Sequence, residues 1–174
     1  MLLQYLDQIG VQNRRLLLNT RGRPEERVHV EEALRNYFTP HADEMCDDCK
    51  RRLETNVWRI LDCKNERCQS LIENAPAIAD YLSEESRQFF SSVCDVLDHL
   101  GVAYEIAPRL VRGLDYYQHT VFEVLHEGLG AQDAIAGGGR YTLNVPGLKK
   151  PIEGVGFAAG TERLLMARQY EEEQ

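Results

Sequence analysis

The chain has 174 residues and is long enough to form a buried core. Hydrophobic residues make up 43% of it and charged residues 28%, a balance typical of soluble globular proteins. Its formal net charge of -8 argues against a general nucleic-acid binder, although a local contact to RNA stays open. No apolar run approaches the length of a membrane span and no signal peptide opens the chain, so we expect a cytoplasmic protein.

The first half of the chain is predicted to be mostly helical. Apolar residues at helical spacing predict a helix over 2–9, and because no N-cap precedes it we expect it to continue an element that began upstream. Proline suits the first turn of a helix, which predicts a second helix from Pro24 to about Phe38. Three further elements are expected before residue 83: a short strand at 14–20 and helices at about 43–53 and 68–73.

The second half is predicted to be a helix followed by antiparallel strands. Ser83 is suited to cap a helix with a clear apolar stripe, which Gly101 ends. Strands are predicted at 104–107, 116–125, 133–137 and 152–158, with 127–132 connecting the middle pair and a final helix starting at Thr161. We therefore predict an α+β fold, with a mostly helical region over 1–82 and a helix plus antiparallel sheet over 83–174.

The segment RGLDYY combines charge and aromatic rings just before a predicted strand. The guanidinium of Arg112 can bind a carboxylate or a phosphate through two hydrogen bonds, and Asp115 can orient it. In a regular strand Tyr116 and Tyr117 would point to opposite faces, so only one of them would line a pocket. The alternative is a surface arginine beside two half-buried tyrosines.

Two glycine-rich segments follow. In AGGGRY, Gly137 to Gly139 deny a strand end its side-chain packing, which is costly unless something must come close; the alternative is a flexible hairpin exit. In GVGFAAGTER, a helix N-terminus and Arg163 offer donors to an anion, and the alternative is close packing of a strand on a helix. The glycine spacing is not that of a dinucleotide-binding fingerprint.

Five cysteines are an odd number, which favours free thiols or a metal site over a disulfide framework. Cys46 and Cys49 form a C-x2-C pair, and Cys63 and Cys68 form a looser C-x4-C pair. Two such pairs could complete a tetrahedral zinc site, although four ordinary reduced thiols are the favoured alternative. Cys94 is most simply a core residue of its helix.

Taken together, RLVRGLDYYQHTVFEV, GGGRY and GFAAGTERLL, in this order and spacing, resemble the histidyl-tRNA synthetase family. Upstream, LLLNTRG, CKRRLETN, RILDCKN and APAIADYL resemble its helical insertion, so the resemblance covers essentially the whole chain. It implies that 1–82 is the insertion and that 83–174 is the C-terminal part of a class II catalytic core. The rest of the enzyme would lie outside the chain, so we expect a fragment that does not charge tRNA alone.

The resemblance also implies a function. The parent protein would be a cytoplasmic, homodimeric histidine–tRNA ligase that activates histidine with ATP and Mg²⁺ and transfers it to tRNA(His). Arg112 would be the catalytic residue, contacting the histidine carboxylate and the ATP α-phosphate. The residues implied for histidine binding are Arg112, Tyr116, Tyr117, Gly137, Gly138, Gly139 and Tyr141. Those implied for ATP binding are Arg112, Gly160, Glu162 and Arg163.

A second class of protein shares this resemblance. Synthetase-like regulatory subunits of ATP phosphoribosyltransferase act in histidine biosynthesis and do not charge tRNA. They tend to lose both the arginine turn and the helical insertion. Because RGLDYY and the insertion segments are both present here, the ligase is favoured.

Overall fold

The computed structural model describes residues 1–173, and at 131 and 132 it describes the backbone alone. The α-helices of this part are α1 Leu2–Gln8, α2 Arg27–Phe38, α3 Asp47–Thr55, α4 Glu66–Glu73, α5 Glu84–His99 and α6 Thr161–Glu172. The strands are β1 Arg14–Thr20, β2 Glu105–Ile106, β3 Tyr117–His126, β4 Ala134–Leu143 and β5 Ile152–Ala159. Among the described residues, no helix is both long and apolar enough to cross a membrane.

The strands form one sheet in the order β2-β1-β3-β4-β5. The pairs β1–β3, β3–β4 and β4–β5 are antiparallel, and the short β2 runs parallel to β1. This confirms the predicted α+β fold with a mainly antiparallel sheet. The predicted strand at 14–20 is confirmed and lies inside the sheet, so the start of the chain packs with the second half. A division near residue 82 stays a prediction.

Three apolar clusters hold the helices in place. The first joins α1 and α6 to the sheet, and Val124 and Leu164 are buried in it. The second packs α5 on β1, with Phe90 against Leu18. The third is the core of the helical region around α2, α3 and α4, and Val111 belongs to it. The segment that leads into the arginine turn is therefore anchored in the helical region.

The predicted start of α5 is confirmed, whereas α2 and α3 begin later than predicted. The Ser83 hydroxyl accepts a hydrogen bond from the Ser86 backbone N–H at 3.2 Å, which confirms the predicted cap of α5. Pro24 opens a 3₁₀ turn at Pro24–Glu26, and α2 itself begins at Arg27. A second 3₁₀ turn at Thr39–Glu44 delays α3 to Asp47, four residues after the predicted start.

The largest correction concerns β4. The predicted strand at 133–137 extends to Leu143, so the three glycines lie in its middle and not at its end. Gly137 pairs with Glu123 of β3 on one side and with Ala158 of β5 on the other. Backbone pairing on both sides compensates for the missing side chains, and neighbouring side chains occupy the space above the glycines.

Candidate functional site

The arginine turn lies against the middle of the sheet. Arg112 forms an ion pair with Glu123 of β3, and both side chains are largely buried, with 24% and 21% of their surfaces exposed. A Cβ atom on Gly137, the register partner of Glu123, would lie 2.6 Å from Nη1 of Arg112. The missing side chain of Gly137 therefore makes room for the guanidinium. Burial raises the pKa of Glu123, and the charge of Arg112 only partly opposes this rise.

Three tyrosines form a cluster beside this pair. The ring centroids of Tyr116 and Tyr117 lie 4.6 Å apart, and those of Tyr116 and Tyr141 lie 5.9 Å apart. The prediction that only one of the first two would line a pocket assumed a regular strand through both. Because β3 begins at Tyr117, the alternation of a strand does not apply to Tyr116, and the two rings touch. Burial and the neighbouring Tyr116 raise the pKa of Tyr117, while Arg112 lowers it.

Glycines on β4 and β5 accommodate the aromatic rings. A Cβ atom on Gly154 would lie 2.7 Å from Cζ of Tyr141, and one on Gly139 would lie 3.1 Å from Cδ1 of Tyr117. Gly138 points the other way, because its Cβ would meet the Phe122 ring at 2.9 Å. Gly137 thus makes room for the arginine. Gly139 lies against Tyr117 and against the Thr120 carbonyl oxygen, 2.5 Å from where its Cβ would be, and Gly138 lies against Phe122 and the Gly156 carbonyl oxygen.

Three of the four residues predicted for ATP, Gly160, Glu162 and Arg163, lie at the start of α6, and the fourth is Arg112. Gly160 is the N-cap and its N–H donates to the Ile135 carbonyl at 3.0 Å. Nη1 of Arg163 donates to the Ala134 carbonyl at 2.5 Å, and Glu162 is exposed. Ala134, which Arg163 contacts, and Gly137, which lies beneath Arg112, are three residues apart on β4. The two arginine sites therefore lie about 10 Å apart along the strand.

Sequence reasoning missed two arginines that hold the turn. Arg21 is fully buried and donates to the Leu114 carbonyl at 2.9 Å. Arg27 donates to the Asp115 carbonyl at 3.0 Å and to the Tyr117 carbonyl at 2.5 Å. Burial, and then the nearby charge of Arg27, lower the pKa of Arg21 to about 10. The two side chains thus bind carbonyls on both sides of the point where the loop enters β3.

Glu123 was also missed, although the sequence carries a signal for it. A carboxylate inside the apolar strand segment TVFEVL is unusual, because buried acids need a partner. The partner, Arg112, is eleven residues away and is brought next to it only by the fold.

The four paired cysteines come together at one point. Their Sγ atoms all lie within 4.8 Å of one another, and the sulfurs of Cys46 and Cys63 are 3.8 Å apart. Cys49, Cys63 and Cys68 are buried, and all five cysteines of the chain are free thiols. Backbone N–H groups of Cys46 and Asn65 donate to sulfurs of the cluster, each at 3.4 Å. The donor set suits a soft, tetrahedral metal ion.

Comparison with known proteins decides the family. A sequence profile for histidyl-tRNA synthetase matches residues 11–164, which is most of the chain. The chain belongs to the histidyl-tRNA synthetase family. The profile takes in the arginine turn, the glycine-rich strand, the four paired cysteines and the start of α6.

Individual synthetases agree with this assignment. The histidine–tRNA ligase of Halothermothrix orenii is 48% identical over 166 residues, covering 95% of this chain and 40% of that protein. The ligase of Bacillus subtilis is 47% identical over 164 residues, covering 92% and 39% respectively. The chain therefore spans about two fifths of the length of these synthetases.

Solved structures show the same fold. Apo histidyl-tRNA synthetase from S. aureus superposes with a TM-score of 0.69 at 36% identity, covering 98% of this chain and 42% of that one. An ATP phosphoribosyltransferase regulatory subunit/histidyl-tRNA synthetase from Bacillus halodurans C gives a TM-score of 0.57 at 18% identity, covering 95% and 47%. The second likeness concerns the fold alone.

Proposed function

We propose that the parent protein of this chain is a histidine–tRNA ligase, which forms histidyl-adenylate from histidine and ATP and transfers histidine to tRNA(His). The observation that carries the proposal is the Arg112 guanidinium, fixed above Gly137 beside the tyrosine cluster. A fixed cation next to aromatic rings suits a ligand with a carboxylate at one end and a flat ring at the other.

The proposed chemistry needs positioning more than reactive groups. A histidine carboxylate oxygen would bond to the α-phosphorus of ATP, and the bond from that phosphorus to the pyrophosphate oxygen would break. Negative charge then builds up on the phosphoryl oxygens, where Arg112 would stabilise it. Glu123 would keep the guanidinium oriented between turnovers. Gly160, Glu162 and Arg163 would shape the site of the remaining phosphates and the nucleoside.

Within the histidine site, Tyr117 is the preferred direct contact. It is buried at the start of β3, whereas Tyr116 is more exposed and rests on it. Tyr141 would close the site against the imidazole from the neighbouring strand. Of the three glycines predicted for histidine binding, Gly137 and Gly139 would serve the site by accommodating Arg112 and Tyr117, whereas Gly138 faces Phe122 on the other side of the strand.

Two metals have different places in the proposal. Mg²⁺ would accompany ATP and act on its phosphates. Zinc would be held by Cys46, Cys49, Cys63 and Cys68 as a structural ion. We propose a cytoplasmic homodimer for the parent protein, which the free thiols and the family support.

The regulatory alternative is less well supported. The curated relatives at 46–50% identity carry the name histidine–tRNA ligase. The regulatory-subunit structure lies at 18% identity, where only the fold is informative. The arginine turn is also intact, with Arg112 paired to Glu123, whereas the regulatory proteins tend to lose this turn.

The test is ATP–pyrophosphate exchange by the full product of the parent gene, with histidine compared against the other amino acids. We expect exchange with histidine alone, and a loss of about 10²–10³-fold in kcat for Arg112→Ala. The matched control is Arg168→Ala, an exposed arginine on α6. No exchange with any amino acid would overturn the ligase and favour the regulatory alternative.

A further inference from the structure

The helical region supplies one side of the arginine site. A narrow cleft beside the turn is lined by Asn56, Trp58 and Asp62 from the helical region and by Arg21, Arg112 and Asp115 from the other side. We call residues 57–62 the wall segment. It consists of the 3₁₀ turn Val57–Ile60 and the two residues after it, and its backbone hydrogen bonds are short-range, such as Leu61 N–H to the Trp58 carbonyl at 3.2 Å.

Trp58 links the wall segment to the turn. Its ring is 5% exposed and lies 4.9 Å from the guanidinium carbon of Arg21, in a cation–π contact. Its Nε1 donates to Glu31 of α2 at 2.9 Å. Arg21 in turn donates to the Leu114 carbonyl, in the middle of the turn. A shift of Trp58 would therefore move the cation that holds the turn.

The wall segment is attached at both ends to the cysteine cluster. Cys63 follows it directly, and the Cys63 N–H donates to the Ile60 carbonyl at 3.0 Å. Before it, α3 carries Cys46 at its N-cap and Cys49 in its first turn. The Arg52 side chain of α3 also donates to the Arg59 carbonyl at 3.0 Å. A ligand that holds the four sulfur atoms in place would therefore also hold both ends of the wall segment in place.

The cluster has the dimensions of a tetrathiolate zinc site. Bonds of about 2.3 Å from a tetrahedral zinc ion to sulfur set neighbouring sulfurs about 3.8 Å apart. The sulfurs of Cys46 and Cys63 are at 3.8 Å, and the others need only small side-chain shifts from their limit of 4.8 Å. A disulfide would require sulfurs at about 2.05 Å, far closer than this pair.

The surroundings of the sulfurs also fit the charge of such a site. Four thiolates around Zn²⁺ leave an excess of negative charge, which N–H donors and cations stabilise. Two backbone N–H groups already donate to the sulfurs of Cys63 and Cys68. The cleft beside the cluster is lined by three cations, Arg51, Arg52 and Lys64, and by the carboxylates of Asp47, Asp48 and Asp62, so the two N–H donors are what favours the thiolates.

We infer that a zinc ion bound by Cys46, Cys49, Cys63 and Cys68 holds the wall segment against the arginine turn, so that metal loading positions Arg21 and, through it, the residues that bind histidine. The last step rests on the proposed ligase function. The metal site and its link to Trp58 stand independently of it.

Metal content is measured first, on this 174-residue chain purified without chelator. We expect about one zinc per chain by elemental analysis, and replacement by Co²⁺ should give the intense visible absorption of tetrahedral cobalt thiolate. Cys63→Ser should lose most of the metal, whereas Cys94→Ser, buried on α5 away from the cluster, should keep it. The Co²⁺ measurement uses the wild-type chain. It therefore tests the metal site even if the Cys63→Ser chain misfolds. Iron in place of zinc, or neither metal with no cobalt band, would overturn the inference.

The link to the turn is measured by fluorescence, because Trp58 is the only tryptophan of the chain. Removal of zinc by a chelator should shift its emission to longer wavelength and increase quenching by acrylamide, and added zinc should reverse both. The Cys94→Ser chain should respond like the wild type. Unchanged emission from a chain that has lost its zinc would overturn the positioning role.

Kinetics of the full parent protein then separate this inference from the proposed function. Zinc removal should raise the KM for histidine about tenfold in pyrophosphate exchange, with a smaller change in kcat. Trp58→Leu should do the same while retaining zinc, and Trp58→Phe should restore part of the loss. If zinc binds and Trp58 responds but no amino acid supports exchange, the ligase proposal fails and the metal site stands. If histidine supports exchange with the same KM with or without zinc, the positioning role fails and the ligase stands.

Discussion

Gly137 lies directly beneath the Arg112 guanidinium, with 2.6 Å between a Cβ placed there and Nη1. Gly137→Ala should therefore displace the guanidinium from Glu123 and from its proposed ligands. We expect kcat for histidine-dependent exchange by the parent protein to fall about 10²-fold, because one preorganised donor is lost. Stability should fall by only about 1–3 kcal/mol, the usual cost of overpacking.

The matched control is Gly156→Ala on the neighbouring strand. Its Cβ would lie 3.5 Å from Cε1 of Tyr141, an ordinary contact distance. Exchange kinetics and thermal unfolding are measured for both variants. Equal activity of Gly137→Ala and Gly156→Ala would contradict a special role for the contact between Gly137 and Arg112.

For single residues, the sequence indicates which side chains have suitable chemistry for a site. It does not indicate which other side chains position them. Arg112, Tyr117 and Tyr141 stand out because their motifs are local. Arg21 and Trp58 do not, since they lie 37 positions apart and meet only when the helical region packs on the sheet. A contact between distant segments leaves no periodic pattern in either of them.

Glu26 joins two elements, the start of α2 and the start of α5. Its carboxylate accepts hydrogen bonds from the Arg23 N–H at 2.6 Å, the Ser83 N–H at 2.8 Å and the Ser86 hydroxyl at 2.6 Å. Burial alone would raise the pKa of Glu26, but these donors outweigh it and lower the pKa from 4.5 to about 2. The charged form is thus favoured in the folded protein.

This lowered pKa predicts a pH dependence of the free energy of unfolding. The stabilisation is fully present above pH 4.5, the unfolded value, and is lost as the pH falls towards 2. It amounts to about 3 kcal/mol. Urea unfolding between pH 7 and pH 3 should show a flatter dependence for Glu26→Gln than for the wild type. Glu25→Gln, an exposed neighbour, is the control; the same slope in all three chains would contradict the assignment.

The bounds of an element could be predicted where a local sequence signal determines them. They could be predicted less well where pairing with distant strands determines them. The α5 helix follows from its cap and spacing, although Phe90 and Cys94 are buried while Val96 and Leu100 are exposed. For β4 the run of three glycines indicated a strand end. Pairing with β3 and β5 instead carries the strand through to Leu143, and no single-sequence pattern contains that pairing.

For the whole molecule, the exposed edge of the sheet predicts how this 174-residue chain behaves in solution. β5 pairs with β4 on one side, and no strand of the described residues lies along its other side. Val155 and Phe157 on this strand are 74% and 40% exposed, and Val155 adjoins an apolar cavity of about 350 Å³. Unpaired backbone groups beside exposed apolar side chains favour edge-to-edge association.

We therefore expect the chain to self-associate, so that its mass in sedimentation equilibrium rises above 19.9 kDa as the concentration increases. Val155→Lys should weaken this association about tenfold or more, since a charged side chain on an edge strand must lose its hydration when another edge approaches. Val96→Lys is the matched control, because Val96 is 57% exposed on α5, whose interior backbone groups are already paired. Equal weakening by both lysines would point to a general effect of charge, and a chain that stays at 19.9 kDa at every concentration would show that the edge does not associate.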